Sequence, residues 1–244
     1  MKRKPYFQDP YRPLFHYTAQ SHVINDPNGL LYYDGEYHLM HQYNIHNHIH
    51  WGHAVSRDLI HWEHLPPALE PDTIGQIWSG SAVIDWNNTS GLQTGKEPVF
   101  VALFTYNEHV DSQQSQGLAY SNDRGRTWRK YWGNPVLTSG GKKDFRDPKV
   151  FGLKAEPGWV MVLACFDHVE FYQSENLLTC AIPGNSAEVR ARLQALGMSR
   201  PVLPAGRGET GREPLGAGGQ RQRRGAGGRH RDAVLYRPVR RLAV

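Results

Sequence analysis

Between residues 16 and 172 short apolar runs alternate with polar turns, and no stretch repeats apolar residues at the 3.6-residue spacing of an amphipathic helix. Leu30-Leu31-Tyr32-Tyr33 and Tyr37-His38-Leu39-Met40 flank Asp34-Gly35, a dipeptide suited to a tight primed hairpin turn. Residues 81–85, 98–105, 116–121 and 159–165 repeat the strand pattern. Asp85-Trp86-Asn87-Asn88 and Ser121-Asn122-Asp123-Arg124-Gly125 read as turn clusters between them. The pattern predicts an all-β body, with helical composition confined to residues 187–196.

A loose echo runs through this body. Ser56-Arg57-Asp58-Leu59-Ile60-His61-Trp62 and Ser121-Asn122-Asp123-Arg124-Gly125-Arg126-Thr127-Trp128 both read as a turn, a spacer and a Trp. Tyr172-Gln173-Ser174-Glu175-Asn176-Leu177 begins a third copy in which no Trp follows. Copies about 50 to 65 residues apart, each holding roughly four strands, predict blades of a β-propeller. A β-sandwich with coincidental turns is the alternative.

Composition divides the chain. Of its 244 residues, those up to Cys180 hold 15 Lys and Arg against 19 Asp and Glu, and all seven Trp. The remaining 64 hold 13 Arg, no Lys, four acids, 11 of the 25 Gly and a single aromatic, Tyr236. The overall charge of +5 therefore belongs to the second part, and the body is mildly acidic. An Arg/Gly-rich segment buries too little apolar surface to offset its ordering entropy, so 181–244 is expected to be a low-complexity, irregular tail. A nucleic-acid arm, a flexible linker and an out-of-frame extension are the three readings of it. The abrupt change around 178–183 favours the last. No apolar run reaches the length of a membrane span, and residues 1–9 show no signal-peptide h-region, so a cytoplasmic chain without a membrane partner is expected. Cys165 and Cys180 are too few for a disulfide framework, and their spacing does not suit a metal.

Candidate chemistry sits at two Asp-Pro steps, Asn25-Asp26-Pro27-Asn28-Gly29 and Phe145-Arg146-Asp147-Pro148-Lys149, each at the start of an apolar strand. Proline biases the residue before it toward extended backbone. Carboxylates at strand starts on different blades would converge on a propeller axis. Converging carboxylates are what glycosidic bond cleavage requires, one attacking or stabilising the anomeric carbon and another protonating the leaving oxygen. Arg146 beside Asp147 is expected to keep that carboxylate ionised.

Five runs in order are Asn25-Asp26-Pro27-Asn28-Gly29-Leu30, Gln42-Tyr43-Asn44, Trp51-Gly52-His53-Ala54-Val55-Ser56, Trp78-Ser79-Gly80-Ser81-Ala82-Val83 and Phe145-Arg146-Asp147-Pro148-Lys149-Val150. Together they make residues 12–178 resemble glycoside hydrolase family 32, the family of invertases, sucrose-6-phosphate hydrolases, levanases and inulinases. The resemblance implies a five-bladed β-propeller, of which about three blades fall in residues 1–180, and retaining removal of terminal β-fructofuranosyl units. By position it implies Asp26 as nucleophile and Asp147 as transition-state stabiliser. It implies that Asn25, Gln42, Trp51, Trp78, Ser79 and Arg146 contact the sugar. The implied partner is a small or polymeric fructoside, with no cofactor and no metal.

Two departures from the family pattern stand out. The family's acid/base Glu, in a Glu-Cys-Pro-like run, has no counterpart; Glu188, Glu209 and Glu213 lie in the right range without that context. Loss of general acid catalysis costs about 10²- to 10⁴-fold, so negligible hydrolysis of sucrose or levan is expected. A catalytically inactive carbohydrate-binding fragment is then the alternative, and a nucleic-acid binder the remoter one. The loop between Gln42 and Trp51 is also shortened, leaving His46, His48 and His50 at a spacing that would align three imidazoles on one face of a strand.

Overall fold

The structure, a computed structural model, describes residues 7, 11–13, 15–109, 112–153 and 158–181. The helical composition at 187–196, the tail beyond Ala181 and Glu188, Glu209 and Glu213 lie outside the described residues. The described chain contains no helix. It forms β1 (Val23–Tyr33), β2 (Glu36–Ile45), β3 (His48–Ser56), β4 (Trp62–Leu69), β5 (Gly75–Asp85) and β6 (Val99–Glu108). These are followed by β7 (Gln114–Ser121), β8 (Arg129–Lys130), β9 (Leu137–Thr138), β10 (Arg146–Gly152), β11 (Trp159–Cys165) and β12 (His168–Ser174). Among the described residues they make three antiparallel sheets, ordered β1-β2-β3-β4, β5-β6-β7-β8 with β9 also on β7, and β10-β11-β12. Three sheets packed in succession exclude the two-layer sandwich.

The predicted hairpin is β1–β2. Tyr33 pairs with Glu36, and Asp34 and Gly35 turn at φ +47° and +81°. Two consecutive left-handed residues match the right-handed twist of the flanking strands, which is why Asp-Gly is preferred there.

The sequence echo is a repeated hydrogen-bonding device at the end of the third strand of each sheet. After β3, Ser56 Oγ accepts from the backbone N–H of Asp58 and Leu59 at 3.2 and 2.8 Å. After β7, Ser121 Oγ accepts from Asp123 and Gly125 at 3.4 and 2.9 Å. After β12, Ser174 Oγ accepts from Asn176 at 3.3 Å. In the first two copies the Trp indole N–H donates back into the turn, Trp62 to the Leu59 carbonyl and Trp128 to that of Gly125. A short side chain here satisfies backbone donors that no strand partner can reach.

β6 lies at the centre of the packing. Its first eight residues are all buried, and successive side chains point to opposite faces. Val99, Val101 and Leu103 pack with Leu118, Val150 and Leu163 toward the third sheet. Ala102, Phe104 and Tyr106 pack with Met40, Trp51 and Ile77 toward the first. Burying a Phe side chain contributes about 1.5–3 kcal/mol, so one strand ties both cores together.

Strands β2 and β3 also bury His38, His41 and His53. His38 Nδ1 lies 3.2 Å from His53 Nε2, and Tyr17 OH lies 2.9 Å from His41 Nε2. Burial is the largest cause holding all three imidazoles below the usual histidine range, with His53 held down to about 3. The unfolded chain then binds protons that the folded chain excludes, so stability is full at neutral pH and falls as pH drops below the ordinary histidine value. Between pH 6 and 5 the fold is expected to lose about 1.4 kcal/mol per pH unit from His53, with His38 and His41 adding in the same direction. Urea unfolding at several pH values should show this slope, and His53→Gln should reduce it; an unchanged slope in the variant would contradict the assignment.

Candidate active site

The first strand of each sheet carries an extra residue relative to its neighbour, β5 and β10 once and β1 twice, the second time between Asn28 and Leu31. In β1 the pairing advances three residues from Ile24 to Pro27 while β2 advances two, from Tyr43 to His41. In β5 it advances from Ile77 to Gly80 against Tyr106 to Phe104. In β10 it advances from Arg146 to Lys149 against Ala164 to Val162. The extra residues fall at Asn25-Asp26, Trp78-Ser79 and Asp147-Pro148. A bulge of this kind re-aims side chains that a regular strand would send to alternate faces. β5 touches both β1 and β10, which brings the three irregular levels together.

A polar relay links the first two strands. Gln42 on β2 donates through Nε2 to Ser79 Oγ at 2.8 Å, and Ser79 donates onward to Asp26 Oδ2 at 2.8 Å. Behind it, the buried Asn28 clamps the backbone: its Nδ2 donates to the Asp26 carbonyl at 2.9 Å, and its Oδ1 accepts from the Gly80 N–H at 2.8 Å. Gly80 has no room for a side chain, since a Cβ there would lie 2.1 Å from the Leu103 carbonyl oxygen. The Trp51 indole donates to the Trp78 carbonyl at 2.8 Å and supports the same bulge from the core side.

Asp147 is fixed from the opposite side. Its N–H donates to Thr105 Oγ1 at 2.9 Å, and Thr105 donates to Gln116 Oε1 at 3.1 Å. Gln116 in turn donates to the Phe145 carbonyl at 2.8 Å. Ser81 Oγ donates to the Pro148 carbonyl at 2.8 Å and accepts from the Val150 N–H at 2.9 Å. These contacts hold Asp147 at φ +61°, left-handed rather than the extended backbone expected before proline. Such a conformation costs on the order of 1–3 kcal/mol and persists where surrounding bonds over-determine it.

The electrostatics also differ from expectation. Arg146 Nη1 contacts Asp144 Oδ1 at 2.6 Å, while its Nε stands 3.8 Å from Asp147 Oδ2. Burial raises the Asp147 pKa, Arg146 opposes that rise only in part, and the charge of Asp26 adds to it. The side chain keeps 49% of its surface, yet crowding by protein atoms on the remaining sides outweighs the guanidinium. Asp26, 121 positions away in the chain, therefore lies close enough for its charge to act on Asp147.

The structure brings Asp26, Gln42 and Ser79 into one hydrogen-bonded group, with Asn25 exposed beside them on β1 and Arg146 flanking Asp147. Trp78 is half-buried at the β5 bulge, and its buried indole N–H has no partner among the described residues. Trp51 corrects its expected role as a sugar contact: it is 0% exposed, and its indole supports the β5 backbone. The histidine expectation also changes. His46 and Asn47 form the β2–β3 turn, at φ +51° and +65°, so only His48 and His50 lie in a strand. His50 Nδ1 contacts the His48 carbonyl at 2.9 Å, and no metal-sized cluster among the described residues includes these imidazoles. Asn28, Ser81, Thr105 and Gln116 were not expected from the sequence. Asn28 and Ser81 sit inside the quoted runs, whereas nothing local marks Thr105 or Gln116. A cavity of about 390 Å³ between Tyr17, His41, His53 and His64 is separate and holds none of the expected site residues.

The sequence pattern of the glycosyl hydrolases family 32 N-terminal domain matches residues 16–193. A levanase of Bacillus subtilis is 56% identical over 176 residues, covering 70% of this chain and 26% of the levanase. An invertase of Schizosaccharomyces pombe is 40% identical over 186 residues, covering 71% of this chain and 32% of the invertase. Among solved structures, an exo-inulinase from Aspergillus awamori superposes with a TM-score of 0.67 at 38% identity, over 72% of this chain and 40% of that one. A β-fructofuranosidase from Schwanniomyces occidentalis complexed with fructosyl-erythritol gives 0.65 at 38% identity, over 71% and 36%. The chain therefore spans between about a quarter and two-fifths of the length of these relatives.

The clamp between β5 and β10 yields a direct expectation. Ser81→Ala leaves the Pro148 carbonyl and the Val150 N–H without their buried partner, at a cost of about 1–3 kcal/mol. Urea unfolding checks this, and a variant as stable as the parent would show that Ser81 does not hold β10 in place.

Proposed function

The chain belongs to glycosyl hydrolase family 32, and on that premise we propose that Asp26 and Asp147 act on the terminal fructofuranosyl unit of sucrose or a fructan with retention of configuration. The observation that carries this reading is the Gln42–Ser79–Asp26 relay, together with a second carboxylate, Asp147, on which the charge of Asp26 acts. Ser79 engages Oδ2 of Asp26, so attack on the anomeric carbon falls to Oδ1 and forms a fructosyl ester as the glycosidic oxygen departs. Water then cleaves that ester and regenerates the carboxylate. The charge on Asp147 stabilises the positive character that develops on the sugar ring, and Arg146 and Asn25 hold its hydroxyls. Trp78 offers a flat apolar surface to the sugar. The names of the relatives, a levanase, an invertase and an exo-inulinase, support a fructoside as substrate.

A carbohydrate-binding reading with little turnover is favoured by one observation. Among the described residues, β1, β5 and β10 carry carboxylates at Asp26, Asp85 and Asp147 and no glutamate. Unassisted departure of an alkoxide is slow, so the two readings separate on the leaving group. The chain is expected to cleave sucrose about 10²- to 10⁴-fold more slowly than a family member with its general acid in place. A fructofuranosyl donor whose leaving group needs no protonation is expected to recover most of that loss.

Rapid-quench mass spectrometry with such a donor should trap one fructosyl group on Asp26, and Asp26→Asn should trap none. Asp147→Asn should slow the same step by about 10²- to 10³-fold. A raised aspartate pKa means that the ionised carboxyl destabilises the folded state above the ordinary aspartate range. Asp147→Asn should therefore gain stability over the parent as pH rises from 3 to 7. Fructose binding without any covalent adduct would favour the binding reading, and labelling at another residue would refute the assignment of Asp26.

A further inference from the structure

Away from these residues, the β11–β12 hairpin ends in a mixed set of donors. Cys165 pairs directly with His168 across the Phe166-Asp167 turn, and Glu170 lies two positions beyond His168. Opposed and alternate residues share a face, so the three side chains emerge together. A ligand atom from each of Cys165, His168 and Glu170 lies within 4.8 Å of the others.

The surroundings orient this set. Asp167 Oδ1 lies 3.0 Å from His168 Nδ1, which turns Nε2 toward Glu170 Oε1 at 3.5 Å. A carboxylate on the far ring nitrogen is the arrangement that fixes the tautomer of a metal-binding imidazole. Glu170 Oε2 is occupied by Lys142 Nζ at 2.6 Å and Tyr172 OH at 2.5 Å, which leaves Oε1 on the histidine side. Cys165 is 1% exposed, so one wall of the set is closed to solvent, while His168 faces solvent on the other.

We propose that Cys165, His168 and Glu170 bind a divalent metal ion of the zinc class. Thiolate, imidazole and carboxylate together suit a borderline-soft ion, and three protein ligands with one water complete a tetrahedron. On binding, the Cys165 S–H bond breaks, its proton passes to solvent, and a sulfur–metal bond forms. The Lys142 ammonium beside Glu170 works against the incoming cation and limits affinity. The bound ion would join the two strands where the hairpin otherwise ends in a two-residue turn.

Titrating the full chain with Co²⁺ tests this, because a thiolate ligand gives an intense near-ultraviolet charge-transfer band. The band should saturate at one equivalent and disappear on adding Zn²⁺. It should be absent in Cys165→Ala and unchanged in Cys180→Ala. Substituting the exposed groups avoids disturbing the core: His168→Gln and Asp167→Asn should each weaken binding about 10-fold or more, and Lys142→Gln should strengthen it. Zn²⁺ should raise the unfolding temperature of the parent and of Cys180→Ala but not of Cys165→Ala. Absence of the band, its persistence in Cys165→Ala, or unchanged affinity in His168→Gln would each overturn the proposal.

Discussion

A β-strand sends successive side chains to opposite faces, so two neighbouring residues can address one hollow only where the strand breaks its own register. β1, β5 and β10 each make that break with an extra residue at Asn25-Asp26, Trp78-Ser79 and Asp147-Pro148, and β1 makes a second between Asn28 and Leu31. A bulge leaves backbone groups without their ladder partners, and buried groups in that state are costly. Asn28, Ser81, Thr105 and Gln116 take up the task, each with its polar atoms bound to backbone or to another member of the set. The candidate site therefore depends on a buried polar scaffold as much as on the carboxylates it presents.

Much of the fold was legible because its signals are local. Asp34-Gly35 marks a hairpin through its own backbone preferences, and the Ser-x-Asp and Ser-x-Asn turns close on themselves within a few residues. Asp26, Gln42 and Ser79 lie in separate runs, yet the structure joins them within two hydrogen bonds. What was not legible depends on long-range packing. Proline predicts an extended Asp147, but bonds from β5 and β6 hold it left-handed. Arg146 adjoins Asp147 in sequence, but its close partner is Asp144. Trp51 lies in a motif rich in site residues and is spent on the core. Cysteine spacing alone gave no hint of Cys165 beside His168 and Glu170, because its partners are a histidine and a glutamate across a hairpin turn.

Two electrostatic situations recur with opposite consequences. In β2 and β3, burial keeps His38, His41 and His53 neutral, which suits a packed layer and ties its stability to pH. At the candidate site, burial works on a carboxylate that must be charged to act, and the second carboxylate makes that charge costlier. Perturbed groups of this second kind cluster where chemistry is done, because a packed fold gains nothing by crowding like charges. The raised Asp147 pKa and its left-handed backbone are two forms of the same trade, conformational and electrostatic cost accepted at one residue and carried by the β5–β6 scaffold.

That Asp26 and Asp147 share one hollow is the claim on which the rest stands, and NMR titration of the Asp147 side-chain carboxyl tests it without any substrate. In the parent chain the carboxyl is expected to titrate above the ordinary aspartate range, and in Asp26→Asn its midpoint should fall toward that range as the like charge is removed. An Asp147 midpoint that does not move on replacing Asp26 would mean that the two carboxylates do not face each other.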